Sequence, residues 1–201
     1  MIRLLLADDQ ALVRGAMAAL LGLEPDLEVV AEVGRGDEVL SAVVRHQPDV
    51  CVLDIEMPGL DGIEATAGLK AAGLATRILV VTTFGRPGYL RRALEAGASG
   101  FVVKDTPAAQ LADAVRRVHA GLRVVDPQLA QESLIGGRNP LSEREVDVLM
   151  LAVQGDSASS IARALFLSAG TVRNHLSSAI GKTGAATSIE AALIARDNGW
   201  L

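Results

Sequence analysis

A chain of 201 residues, half of them hydrophobic, is long enough for one or two domains with buried cores. No apolar run approaches the roughly 20 residues of a membrane span and no signal-peptide pattern precedes the first apolar run, so a soluble cytoplasmic protein is expected. The formal net charge of −5 argues against a nonspecific coat on nucleic acid, and the single cysteine, Cys51, leaves no disulfide framework to build.

The first 121 residues alternate between two textures. Short runs rich in Leu, Ile and Val predict strands at Ile2–Ala7, Leu27–Val33, Asp49–Asp54, Arg77–Thr82 and Gly100–Val103. Segments with helical spacing lie between them: Ala11–Leu23, Glu38–His46, Gly62–Ala72, Gly88–Ala96 and Pro107–Ala120. In the first, Leu12, Ala16, Ala19, Leu20 and Leu23 share one face. Thr106-Pro107 reads as the start of the fifth helix, with a capping hydroxyl and proline at the first helical position. Five alternating β-α units imply a parallel sheet with helices on both faces.

Five residues close off these apolar runs: Asp8, Asp9, Asp54, Thr82 and Lys104. In an open parallel sheet, functional residues gather beyond the carboxyl ends of the strands. One sheet then unites three carboxylates, a hydroxyl and an ammonium. Carboxylates at such range repel by about 4 kcal/mol per pair at an effective dielectric of 20. Mg²⁺ would offset this, since it favours oxygen ligands. Asp54 could then act as a carboxylate nucleophile and form an acyl phosphate, with Lys104 as a point charge and Thr82 as a donor to the phosphoryl oxygens.

Residues 122–139 contain Asp126-Pro127 and Gly136-Gly137 and read as a partly helical linker, mobile near Gly136. From residue 140 the texture is all helical. Ser142 and Glu145 form a capping box for a helix over 142–154 that Gly155 would end. Segments 157–165, 168–182 and 187–197 follow as helices. A short helix, a tight turn at Phe166-Leu167 and a longer helix suggest a helix-turn-helix. On the longer one, Val172, Leu176, Ala179 and Ile180 share an inward face. Thr171, Arg173, Asn174 and Ser177 fall elsewhere. Arginine can bond guanine or phosphate, and asparagine can read adenine. Residues 157–189 carry Arg163, Arg173 and Lys182 and no acid, so a local basic stretch hides within an acidic chain.

The strings ADDQ, DVCVLDIEMPGLDG, ILVVTT and GFVVKD resemble the receiver domain of two-component response regulators across residues 1–121. LSAGTVRNHLSSAIGK, within residues 140–201, is similar to the luxR-type helix-turn-helix of NarL/FixJ regulators, with TTFGRPGYLRRALEAG nearest in texture to the desaturase-regulator branch. The resemblance implies a flavodoxin-like, five-stranded, doubly wound receiver plus a small all-α DNA-binding domain. It implies Asp54 as phosphoacceptor, Asp8, Asp9, Asp54 and the backbone carbonyl of Glu56 as Mg²⁺ ligands, and Thr82, Phe101 and Lys104 as the phosphate switch. Thr171, Arg173, Asn174, Ser177 and Lys182 become DNA-contact candidates. The implied partners are a sensor histidine kinase, a double-stranded DNA operator and, when phosphorylated, a second copy of the chain. A dedicated enzyme is not expected. An aspartyl phosphatase would need a second aspartate two positions after the nucleophile, where this chain has Glu56.

Overall fold

The computed structural model describes residues 1–83, 87–127, 129–130 and 139–201. The chain divides into two compact units, one largely within residues 1–130 and the other largely within 131–201. Residues 131–138, which hold the expected mobile point near Gly136, lie outside the described residues.

The first unit is built on a parallel sheet of order β2-β1-β3-β4-β5-β6. Its strands are β1 (Ile2–Ala7), β2 (Leu27–Val33), β3 (Val50–Asp54), β4 (Arg77–Thr82), β5 (Gly100–Val103) and β6 (Val124–Val125). The sixth strand is a correction to the five expected, and it falls in the stretch read as linker. Two residues between weakly periodic neighbours carry too little pattern to be seen in sequence.

The helices are α1 (Ala11–Leu21), α2 (Gly36–His46), α3 (Gly62–Ala71), α4 (Pro87–Glu95) and α5 (Ala108–His119). Alternation along the strands sends Leu4, Leu6, Val50, Val52, Leu79, Val81 and Val102 to one face, where they meet Leu21 of α1 and Leu111, Val115 and Val118 of α5. Leu5, Cys51, Leu53, Ile78, Val80 and Phe101 alternate with them and are equally buried. Burial pushes the Cys51 thiol up to about 12, so it behaves as a small apolar residue.

The face of α1 that carries Leu12, Ala16, Ala19, Leu20 and Leu23 points outward: all five are exposed, Leu12 at 87%. The buried stripe of α1 runs instead through Met17, Ala18 and Leu21. An alanine-rich helix offers two apolar stripes, and spacing alone does not choose between them. At α5, Pro107 takes the cap position and no side chain caps the helix, so the Thr106 hydroxyl does not play the part assigned to it.

The second unit holds α6 (Glu143–Val153), α7 (Ala158–Ala164), α8 (Ala169–Thr183) and α9 (Ser188–Asp197). Ser142, Ser157, Ser168 and Thr187 each cap their helix, accepting a bond from the backbone N–H three residues on. The Ser142–Glu145 capping box is present as read. Val172 and Ala179 of α8 are fully buried, with Leu176 and Ile180 packed beside them. This is the inward face that the spacing predicts.

Candidate functional site

Strand register explains how the first unit assembles its polar cluster. Ala7 pairs with Leu53, so Asp8 emerges beside Asp54. Asp54 pairs with Val81, and Val81 with Val102. Thr82 therefore stands one residue further along the sheet than Asp54, and Lys104 two residues further than the position level with it. Two residues of strand are about 6.6 Å. A four-carbon stem can reach back over that distance, which is a reason for lysine here.

Lys104 does reach back. Its Nζ lies 2.9 Å from Asp54 Oδ2 and 2.7 Å from Asp8 Oδ2. The first contact is a hydrogen bond. The second is a close ion pair with the buried Asp8 carboxylate. The other oxygens are fixed by backbone: Asp8 Oδ1 accepts from Gln10 N–H at 2.9 Å and Asp54 Oδ1 from Ile55 N–H at 2.8 Å. Asp8, Asp54 and Thr82 are buried, while Asp9 is exposed at the rim. Arg14 donates to the backbone carbonyl of Asp8 and steadies the β1–α1 turn, a contact no motif in the sequence announces.

Burial raises the Asp54 carboxyl above its ordinary range, against the opposing pull of Lys104. Burial works against the Lys104 ammonium too. The two carboxylates outweigh it, and its pKa is raised. Carboxylate oxygens of Asp8, Asp9 and Asp54 come within 4.8 Å of one another. An all-oxygen set of that span, two of its three carboxylates buried, fits a hard divalent cation.

The loop after Asp54 is held tightly. Gly62 N–H donates to the Ile55 carbonyl at 2.9 Å, and a Cβ at Gly62 would collide with the Asp54 carbonyl oxygen. Asp61 and Glu64 form a capping box at the start of α3. The D-x-x-E spacing was available in the sequence and went unread. Glu56 lies in this loop two residues past Asp54 with its side chain exposed, while Phe101 is fully buried in β5, where it pairs with Val125 of β6.

In the second unit, Arg173, Asn174 and Ser177 project to solvent from α8. Thr171 is engaged at the helix start, its hydroxyl 2.8 Å from that of Ser168. Lys182 is not a free cation: its Nζ lies 2.7 Å from Glu145 Oε2. The DNA-contact candidates therefore divide into three exposed side chains and two that are already occupied. Glu145 was read only as a helix cap. Its tertiary role depends on α6 meeting α8, which spacing along one helix does not reveal.

Residues 4–116 match the response regulator receiver domain, and residues 139–195 match the luxR family of bacterial regulatory proteins. The chain is 42% identical to the transcriptional regulatory protein YvfU of Bacillus subtilis over 201 residues, covering all of both chains. It is 42% identical to the transcriptional regulatory protein DesR of the same organism over 200 residues, covering 100% of this chain and 99% of DesR. The crystal structure of the response regulator ChrA of a heme-sensing two-component system superposes with a TM-score of 0.60 at 35% identity, over 100% of this chain and 98% of ChrA. Acid cluster, switch-like lysine and helix-turn-helix thus have one common explanation: the chain belongs to the NarL/FixJ-type response regulators, which join a receiver to a luxR-type DNA-binding domain.

Proposed function

We propose that Asp54 stores a phosphoryl group delivered by a sensor histidine kinase, and that residues 140–201 read its presence out on a double-stranded DNA operator. Residues 1–121 would form the receiver and 122–139 the connection. A carboxylate oxygen of Asp54 forms the new O–P bond while the P–N bond to the donor imidazole breaks, and the imidazole keeps the electron pair. The chain takes its phosphate from an external donor and is not a dedicated enzyme. The observation that carries this reading is the position of Lys104, held 2.9 Å from Asp54 and 2.7 Å from Asp8 at the sheet end.

Asp8, Asp9, Asp54 and the backbone carbonyl of Glu56 would hold Mg²⁺, which when bound offsets the negative charge gathered around the phosphoryl group. Lys104 moves its ammonium from the Asp54 carboxylate to the phosphoryl oxygens. The Thr82 hydroxyl donates to those oxygens from the neighbouring strand. Phe101, fully buried in β5 level with Val80 of β4, takes up the resulting shift of β4 and β5.

The outward apolar face of α1 supports a homodimer. Leu12, Ala16 and Leu20 line a groove of about 350 Å³ that Ala108 and Leu111 of α5 close from the other side. A second copy would cover it and pair two α8 helices on half-sites about one helical turn apart, 34–36 Å. Arg173, Asn174 and Ser177 would face the bases. A cytoplasmic setting follows from this role, and no helix among the described residues is long and apolar enough to cross a membrane.

The test is Asp54→Ala in the full-length protein. Mg²⁺-dependent labelling by acetyl phosphate should vanish, and labelling that persists would move the phosphoacceptor elsewhere.

A further inference from the structure

Phe166 occupies the turn between α7 and α8 in a conformation its chemistry does not favour. Leu165 caps α7 and Phe166 follows at φ +55°. Two reverse hydrogen bonds close the turn: Leu167 N–H to the Ala162 carbonyl at 2.8 Å, and Phe166 N–H to the Arg163 carbonyl at 3.4 Å. This pair defines a Schellman closure, whose left-handed residue is usually glycine because a Cβ crowds the backbone there. Elsewhere this chain follows that preference. Gly184 takes the left-handed place after α8, and Gly73, Gly97, Gly121, Gly155 and Gly199 also have positive φ. Among the described residues, Gln47 and Phe166 are the two exceptions.

Burial gives no compensation. Phe166 is 96% exposed, the most exposed large hydrophobic among the described residues. Its neighbours Leu165 and Leu167 pack inward against the cluster of Val148, Ile161, Ala162 and Val172. They fix the turn and leave the ring directed outward. Phe166 thus stands two residues before Ser168, the cap of α8, between the exposed Arg163 and Arg173 and in a window free of acids.

In a helix-turn-helix the N-terminal part of the second helix enters the major groove, so the turn before it meets the groove wall of sugars and phosphates. We infer that Phe166 is a DNA-contact residue, packing its ring on a deoxyribose at the mouth of the major groove while Arg163 meets an adjoining phosphate. The inference rests on the DNA-binding reading of α8. The contact is apolar and reads no base edge, so it adds affinity without sequence preference. It also releases no counterion, and so leaves the salt dependence of binding unchanged.

The experiment uses full-length protein treated with acetyl phosphate. The probe is the duplex that the wild-type protein itself selects from a random library, together with single-base variants of it. Phe166→Asn and Phe166→Gly remove the ring and suit the left-handed backbone; Phe166→Leu keeps apolar surface; Arg173→Ala is the control. Phe166→Asn should unfold at a temperature no lower than wild type, yet bind roughly tenfold more weakly, a loss of about 1.4 kcal/mol. The loss should be equal across the base variants, with an unchanged slope of log K against log salt. Phe166→Leu should keep part of the affinity, and Arg173→Ala should lose affinity by an amount that differs between the base variants. Full-strength binding by Phe166→Asn and Phe166→Gly overturns the inference while Arg173→Ala still upholds DNA binding. A flattened slope or a base-dependent loss for Phe166→Asn overturns it as well. Full DNA binding with lost transcriptional activity would assign the ring to a protein partner and overturn it too. If the wild type selects no duplex, the DNA-binding reading and this inference fall together.

Discussion

Lys182 Nζ sits 2.7 Å from Glu145 Oε2 and ties the last turn of α8 to the first turn of α6. Glu145 is buried and fully committed. Its Oε1 accepts from the Ser178 hydroxyl at 2.6 Å and its Oε2 also accepts from Ser142 N–H at 2.6 Å. Burial alone would raise this carboxyl, but the Lys182, Ser178 and Ser142 donors outweigh it and bring the carboxyl from 4.5 down to about 2. A depressed carboxylate stabilises the fold fully above its unfolded value, and the contribution is lost as pH falls from about 4.5 towards 2. Glu145→Gln should cost about 1.5–3 kcal/mol at neutral pH, the range for hydrogen bonds to charged groups, and should flatten this acid limb. Trp200, the sole tryptophan, packs on the core of the second unit, so its fluorescence follows the unfolding of full-length protein.

The same contact separates two basic residues that look alike in sequence. Lys182→Ala should lower the stability that Trp200 reports, because it leaves a buried carboxylate short of a donor. Arg173→Ala should leave stability within about 0.5 kcal/mol and weaken operator binding by about 1–3 kcal/mol if the arginine reads a guanine. Thermal melts and titration with a selected duplex, run on both variants, check the crossing pattern.

Lys104 stands between two buried carboxylates, and removing it exposes their repulsion. Lys104→Ala should lower metal-free stability by about 3–5 kcal/mol, the cost of breaking a buried ion pair from one side. It should also strengthen Mg²⁺ binding, since the cation no longer competes with an ammonium. The measurement is the unfolding midpoint across a Mg²⁺ titration. The rise should be larger and should begin at lower concentration in the variant than in the wild type.

The exposed stripe of α1 gives a prediction of the opposite kind. Leu12→Glu and Leu20→Glu should leave the stability of the monomer within about 0.5 kcal/mol, because neither side chain is buried. Both should lower the mass that light scattering records for protein treated with acetyl phosphate. A dimer that survives both changes would place the interface on another receiver surface.

Much of this was readable from the chain. Short apolar runs bounded by turn residues place the first five strands to within a residue, and the strand ends name Asp8, Asp9, Asp54, Thr82 and Lys104. Local chemistry was readable as well, as at the Ser142 cap. Pairwise tertiary choices were not. The α1 helix has apolar residues on two stripes, and only the position of α5 decides which one is buried. Lys182 looked like a DNA ligand because Glu145, 37 residues away, gives no sign of its approach in one dimension. Phe166 looked like an ordinary turn hydrophobe, since a backbone angle leaves no mark on composition.

The two-residue strand β6 has a mechanical meaning. Its Val125 pairs with Phe101, and the N–H of Asp126 donates to the Phe101 carbonyl at 3.2 Å. Lys104 lies three residues past Phe101, just beyond the end of β5. Residues 124–126 are therefore bonded to the strand that runs into Lys104. A slide or tilt of β5 would act on β6 through the backbone ladder itself, as a crank turns its own axle, with no need for a relay of side chains.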